Sequence, residues 1–288
     1  SGGHMRSALA DEKYLLEYGP NSFLPSAKPI FSLARELSID SQIISNSNKK
    51  PKRFIFKNGK LVALPTGPRA FLTSDIMSFS GKLRLLTEPW VKSRSENDES
   101  LASFVRRRAG EEVLENLVNP FVSGVYAGDS EQLSAASVFP KLIELEQSKG
   151  SVLKGMKSLN SAAGKQKAAQ MYSFRWGMGT LSARLEEVLH RDLRLQTCIE
   201  AVDRLPNGRL TVRVEAPRRS FEADAVVIAA PAWVASRIAA PLLPEAISPL
   251  MSIPYVPLTV VHTAFKRSQM PHSLDGFGVL IPEIEKFN

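Results

Sequence analysis

Few residues in this 288-residue chain are placed to do chemistry. Arg53 stands in Lys52-Arg53-Phe54-Ile55-Phe56, an aromatic and β-branched run that reads as a strand, so its guanidinium springs from a fixed base. A guanidinium held in this way can grip a carboxylate through two parallel N–H donors; a solvated surface arginine is the competing reading. Gly19-Pro20-Asn21-Ser22 closes the short extended piece Tyr14-Leu15-Leu16-Glu17. Proline fixes φ and asparagine can bond its own backbone, so the turn is rigid and Asn21 is a second candidate. No acid–base–nucleophile set accompanies them. Histidines 4, 190, 262 and 272 form no Cys/His cluster with zinc-ligand spacing, and Cys198 has no base beside it in sequence. Gly-x-Ser-x-Gly, Gly-x-Gly-x-x-Gly and Walker-type loops are absent, and the pair Gly177-Met178-Gly179 is weak evidence alone. Arg106-Arg107-Arg108 reads as the solvated face of a helix, with contact to anionic lipid as the functional alternative.

Composition bounds what could carry these residues. The chain is 43% hydrophobic and 23% charged, which supports a packed core and excludes global disorder. One cysteine excludes an internal disulfide framework. The charge-free apolar stretch 225–235 is far short of a bilayer span. Of the net charge of +8, the segment from Lys49 to Arg94 holds eleven basic and two acidic residues, so the remainder is close to neutral. A field concentrated in this way attracts anions: nucleic acid, anionic lipid or a polycarboxylate.

The elements follow from period and punctuation. A helix is expected over 29–37, and 53–56 with 61–64 form a hairpin about Asn58-Gly59. Residues 81–86 read as a short turn ended by Glu88-Pro89. The spacing predicts helices over 101–108, 111–118, 139–146 and 180–189. Residues 158–170 read as a loop or mobile tip. Alternation then predicts extended chain over 193–197, a hairpin about Pro206-Asn207-Gly208 and a buried strand over 225–229, apolar at every position. Proline 231 opens a helix, and 258–265 and 276–282 have a β pattern. The fold class is α/β with a β insertion.

As a set, several stretches resemble the protoporphyrinogen oxidase family. Leu16-Glu17-Tyr18-Gly19-Pro20-Asn21-Ser22-Phe23 resembles the stretch that runs beside the flavin there, and the hairpin from Lys52 to Leu64-Pro65 is similar to the one that follows. Gly81-Lys82-Leu83-Arg84 with Glu88-Pro89 fits the same pattern, and so does Phe139-Pro140-Lys141-Leu142. Asn119-Pro120-Phe121-Val122-Ser123-Gly124-Val125-Tyr126-Ala127-Gly128-Asp129 is the most specific piece. Ala223-Asp224-Ala225-Val226-Val227-Ile228-Ala229-Ala230-Pro231 resembles a second pass through a flavin-binding domain, and Gly276-Phe277-Gly278-Val279-Leu280-Ile281-Pro282 also fits. Gly2-Gly3-His4-Met5-Arg6-Ser7 is similar to the family's paired glycines. The chain looks like an internal part, without the family's N-terminal glycine-rich loop and C-terminal flavin segment, and is expected to be inactive alone.

The resemblance implies a discontinuous FAD-binding α/β domain with a β-rich substrate-binding portion and a helical membrane-associating insertion. Residues 1–50 would be flavin-proximal and begin the substrate portion, 51–90 its basic hairpin region, 91–176 the helical insertion, 177–240 the return through the FAD domain, and 241–288 further substrate-binding strands. It implies oxidation of protoporphyrinogen IX to protoporphyrin IX by FAD and molecular oxygen, with hydrogen peroxide formed. Arg53 and Asn21 would face the substrate; Gly2, Gly3, Gly19, Ile199 and Ala230 would approach FAD. A peripheral anionic membrane and a homodimer are further implied partners, with a cytoplasmic or membrane-peripheral location and no nucleic acid. The rivals are a coproporphyrinogen III oxidase, another flavin amine-oxidase relative, and a basic lipid- or RNA-binding module. One hairpin without paired stacking motifs argues against RNA.

Overall fold

The computed structural model describes residues 2–45, 52–65, 67–91, 98–162, 170–273 and 275–285. The chain divides into two units, one of Ser1–Phe23, Ala27–Ile44 and Ser173–Val260, the other of Leu24–Ser26, Ser45–Tyr172 and Val261–Asn288.

In the first unit, Ser7–Ala10 and Tyr14–Glu17 pair antiparallel with Ser7 opposite Glu17. Phe23 is buried against Phe31, at 5.3 Å between ring centroids, and against Phe174 at 5.8 Å. Phe31 lies on the helix Lys28–Glu36, close to the expected bounds. The helix Gly179–Leu189 buries Leu181, the first residue of its apolar stripe. Ile199–Arg204, Leu210–Val214 and Arg219–Ala223 form an antiparallel sheet whose first hairpin turns at Pro206-Asn207-Gly208. The helix Ala232–Ala239 packs against Ile199–Arg204, burying Ile238, Ala201 and Val202.

Three extended readings in the sequence fail. Residues 193–197 form no strand, because Gln196 takes a left-handed φ of 53° that breaks the run. Residues 225–229 form no strand, and Val227 is 90% exposed. Apolar composition favours a buried strand, but burial comes from neighbouring strands, and none of the described strands lies alongside. Residues 258–265 fail for the same reason, with Leu258, Val261 and Phe265 exposed.

In the second unit, Lys52–Lys57 is the central strand of three, antiparallel to Lys60–Ala63 and parallel to Gly276–Leu280. The hairpin turn takes positive φ at both Asn58 and Gly59, as a two-residue turn matched to strand twist requires. Residues 81–86 are helical within Phe79–Leu86 rather than a turn, started by the Ser78 hydroxyl, which accepts from the Gly81 N–H at 3.0 Å. Leu101–Arg108 forms as expected. Glu111–Val113 continues through a widened turn, Leu114–Val118, into Asn119–Tyr126. The widened turn lies just ahead of Pro120, which offers no N–H to the carbonyl four residues before it. Pro140–Lys149 and Val152–Ala162 follow, so the reading of 158–170 as a loop is wrong up to Ala162, and 163–169 lie outside the described residues. Ile76, Leu101, Phe104, Leu114 and Val122 centre the apolar core. No helix of the described residues is long and apolar enough to cross a membrane.

This helical region buries charge as well. Arg108 is 2% exposed and Glu88 1%. Arg108 donates to the Glu88 carboxylate, to the Val91 carbonyl at 2.9 Å and to the Gly150 carbonyl at 3.0 Å. Glu88 accepts in turn from the Ser151 hydroxyl at 2.5 Å and from the Val152 N–H at 3.0 Å, where the helix Val152–Ala162 begins. Arg107 binds Glu99 and Glu146, and exposed Arg106 binds Glu111 and Glu131. The reading of the three as a solvated face thus holds for Arg106 but not for Arg107 and Arg108, and all three are paired with carboxylates of this chain rather than unpaired as lipid contact would want.

Candidate functional site

The first unit offers a backbone-lined cradle. Gly2 and Gly3 have φ values of 87° and 55°, a region that side chains resist. A Cβ on Gly2 would also stand 2.7 Å from the Ser182 hydroxyl, and one on Gly19 would fall on the His4 carbonyl oxygen. The turn at Gly2 thus lies directly against the N-terminal part of the helix Gly179–Leu189, and the turn at Gly19 against His4. Glu17 and Ser7 hold that arrangement. The Ser7 hydroxyl donates to Glu17 at 2.6 Å and accepts from the Gly179 N–H at 2.8 Å, while Glu17 accepts from the Met178 N–H at 2.8 Å. A carboxylate at this helix end complements the positive end of the helix dipole. Beside these groups opens a cleft of about 360 Å³ lined by Met5, Arg6, Trp176, Thr180, Ala183 and others.

Asn21 is exposed at the end of the turn. Its carbonyl accepts from the Ser173 hydroxyl at 2.8 Å and its side-chain oxygen accepts from Ser22 at 2.7 Å, so the turn is tied on both sides. Ile199 is half-buried at the start of its strand, opposite Val214, and Ala230 is half-buried just before Pro231. At the following helix the Ala232 N–H donates to the Tyr255 hydroxyl at 2.8 Å, and the Tyr255 ring stands edge-on to Trp233 at 4.3 Å.

Arg53 belongs to the second unit. It is exposed, and among the described residues its guanidinium makes no hydrogen bond or ion pair; its Cζ lies 5.9 Å from the centre of the Phe277 ring. Most neighbouring charges are engaged. Lys52 pairs with Asp275 at 2.7 Å, Lys57 donates to the Ile76 carbonyl at 2.7 Å, Lys82 to the Ser74 carbonyl at 2.6 Å, and Arg84 to the Arg107 carbonyl at 2.8 Å. Lys57, Lys82 and Arg84 therefore satisfy backbone carbonyls, and among the described residues Arg53 is one of the cations whose side chain has no such partner. Sequence reasoning missed Ser7, Glu17, Ser182 and Phe277. Each acts through a partner ten or more positions away, and only the pairing register brings them together.

The glycine cradle, closed by Ser7, Glu17 and Ser182, lets backbone come close to a bound group where side chains would be in the way. Residues 1–286 match the family of flavin containing amine oxidoreductases, and the chain belongs to that family. Its relatives narrow the class. It is 33% identical to the chloroplastic protoporphyrinogen oxidase of Oryza sativa subsp. japonica, over 98% of this chain and 56% of that protein. It is 28% identical to the coproporphyrinogen III oxidase of Bacillus subtilis (strain 168), over 99% of this chain and 63% of that one. Among solved structures, a protein of Exiguobacterium sp. 255-15 named provisionally as a protoporphyrinogen oxidase superposes with a TM-score of 0.67 at 25% identity, over 84% of this chain and 54% of that one. The chain spans little more than half the length of these relatives.

Proposed function

We propose that the enzyme carrying this chain oxidises protoporphyrinogen IX to protoporphyrin IX, with molecular oxygen as electron acceptor. Arg53 carries the reading. Its guanidinium, on a central strand, has no hydrogen-bond or ion-pair partner among the described residues, and the porphyrinogens named for the relatives bear propionates that such a group can take as a bidentate pair. A flavin held here would supply the chemistry of a two-electron oxidation, a hydride leaving a methylene bridge of the porphyrinogen and the electrons going on to oxygen as hydrogen peroxide. Three such two-electron oxidations consume three oxygen molecules and yield three of peroxide. Gly2, Gly3 and Gly19 would let the backbone approach the flavin, and Ile199 and Ala230 would be further residues that hold it. Arg53 would orient the substrate through its carboxylate, and Asn21 is the second residue proposed to bind substrate.

A homodimer and peripheral contact with an anionic membrane belong to the same proposal. The membrane contact is drawn from the basic and apolar groups Lys154, Met156 and Leu159, all exposed on the helix Val152–Ala162. Stronger flotation with anionic than with neutral vesicles at low salt supports it, and equal flotation with both removes it. The substrate is tested by supplying the flavin-loaded enzyme with protoporphyrinogen IX or coproporphyrinogen III while porphyrin fluorescence and peroxide are followed. Higher kcat/KM on protoporphyrinogen IX supports the reading. Preference for coproporphyrinogen III shifts it to the activity named for the bacterial relative. Oxidation of neither overturns it.

A further inference from the structure

Phe277 is the extra residue in a break of register. Along the parallel pair, Gly276 stands opposite Lys52 and Gly278 opposite Arg53, so two steps on one strand answer a single step on the other. Such a bulge turns the extra side chain out of the ordinary alternation. Here it brings the Phe277 ring to 5.9 Å from Arg53 Cζ, within the range where an aromatic face attracts a guanidinium.

The neighbours show why the bulge is accommodated. A Cβ at Gly276 would meet the Phe54 ring at 2.6 Å, so the strand passes Phe54 too closely for a side chain. Phe54 is itself anchored, buried and edge-on to His272 at 5.6 Å. A Cβ at Gly278 would meet nothing within 4 Å, so the position across from Arg53 is open. Lys52, one residue earlier, is neutralised by Asp275. The bulge thus leaves one cation without a carboxylate, an aromatic ring beside it and empty space at its side.

We propose that Phe277 is a positioning residue for Arg53, confining the guanidinium beside the open position of Gly278 so that it meets a substrate carboxylate with its orientation already set. A long side chain on an open strand otherwise samples many rotamers, and stacking removes most of them before the ligand arrives. The inference rests on the reading of Arg53 as the carboxylate grip and names what orients it.

The test uses the flavin-loaded enzyme as wild type, Phe277→Leu, Phe277→Tyr and Arg53→Ala. The readouts are the KM and kcat for protoporphyrinogen IX and the Kd for the oxidised porphyrin as its diacid and as its dimethyl ester. Phe277→Leu is expected to raise KM and the diacid Kd about two- to fivefold, the range of an exposed cation–π contact, and to move kcat less. Ester binding should hold, and Phe277→Tyr should restore the diacid. If Arg53→Ala weakens the diacid while Phe277→Leu matches wild type, positioning is overturned and the role of Arg53 stands. If Phe277→Leu weakens diacid and ester alike, the ring is only an apolar wall and the inference fails. If Arg53→Ala leaves diacid binding unchanged, the underlying reading fails with it.

Discussion

Arg53 and Arg108 belong to the same unit and lie in opposite environments. Arg108 is buried, with Glu88, two backbone carbonyls and Glu146 around it. Arg53 is exposed, with an aromatic ring for its neighbour. The difference teaches that a basic sequence says little about function until its partners are counted. In the arginine triplet that invited a lipid-binding reading, Arg107 and Arg108 are internal scaffolding and exposed Arg106 is paired with carboxylates, whereas the guanidinium on the strand has no such partner among the described residues.

That contrast can be broken most directly at its buried end. Arg108→Leu strands the Glu88 carboxylate in the helical core, and Glu88→Gln strands the guanidinium. Each should cost about 3–5 kcal/mol, the usual loss when one partner of a buried pair is removed. Urea unfolding measures it, and a loss no larger than that of an exposed pair would show that the pair is not a linchpin. Replacing both by leucine should cost less than the two single changes together.

The same pair sets an acid limit. Burial pushes the Glu88 carboxyl up, but the Ser151 hydroxyl, the Val152 N–H and Arg108 outweigh it, leaving the group below its ordinary value of 4.5. A carboxyl depressed by folding stabilises above its unfolded pKa, and that contribution is lost as pH falls through the folded value. The stability gap between wild type and Glu88→Gln should therefore be full at neutral pH and narrow below about pH 4.5. A gap independent of pH would contradict this assignment.

At the exposed end the effects are smaller. Arg106 meets Glu111 and Glu131 in solvent, where coulombic gain is screened and side-chain ordering offsets it. Arg106→Ala should barely move the urea midpoint, with Arg107→Ala falling between it and Arg108→Leu. Arg53→Ala should change stability by less than about 0.5 kcal/mol, because it removes no hydrogen bond or ion pair of the described residues. A large loss there would make Arg53 part of the scaffold, and the contrast with Arg108 would collapse.

Much of this was readable where the cause is local. Asn58-Gly59 dictates a tight hairpin turn, and the apolar stripes at 101–108 and 181–189 specify helices of nearly the observed length. Arg53 as candidate follows from its strand alone. What escaped depends on distant partners. Glu88 meets Arg108 across twenty positions, and Ser7 meets Glu17 only through the register of a hairpin. The bulge at Phe277 shows only once Gly276–Leu280 is laid against Lys52–Lys57. Residues 225–229 erred the other way, because their apolar composition reports what a strand needs and not what lies beside it.

The central claim is that Arg53 holds a carboxylate of the porphyrinogen. It is tested by steady-state kinetics on flavin-loaded wild type, Arg53→Ala and Arg53→Lys with protoporphyrinogen IX, each with its flavin-to-protein ratio measured. Loss of a charge-assisted pair worth about 1.5–3 kcal/mol should lower kcat/KM roughly 10- to 100-fold in the alanine variant, mainly through KM. Lysine should recover only part of it, since a point charge lacks the planar fork, and flavin content should stay at the wild-type ratio. An alanine variant with wild-type kinetics, or one that loses its flavin, would contradict the account.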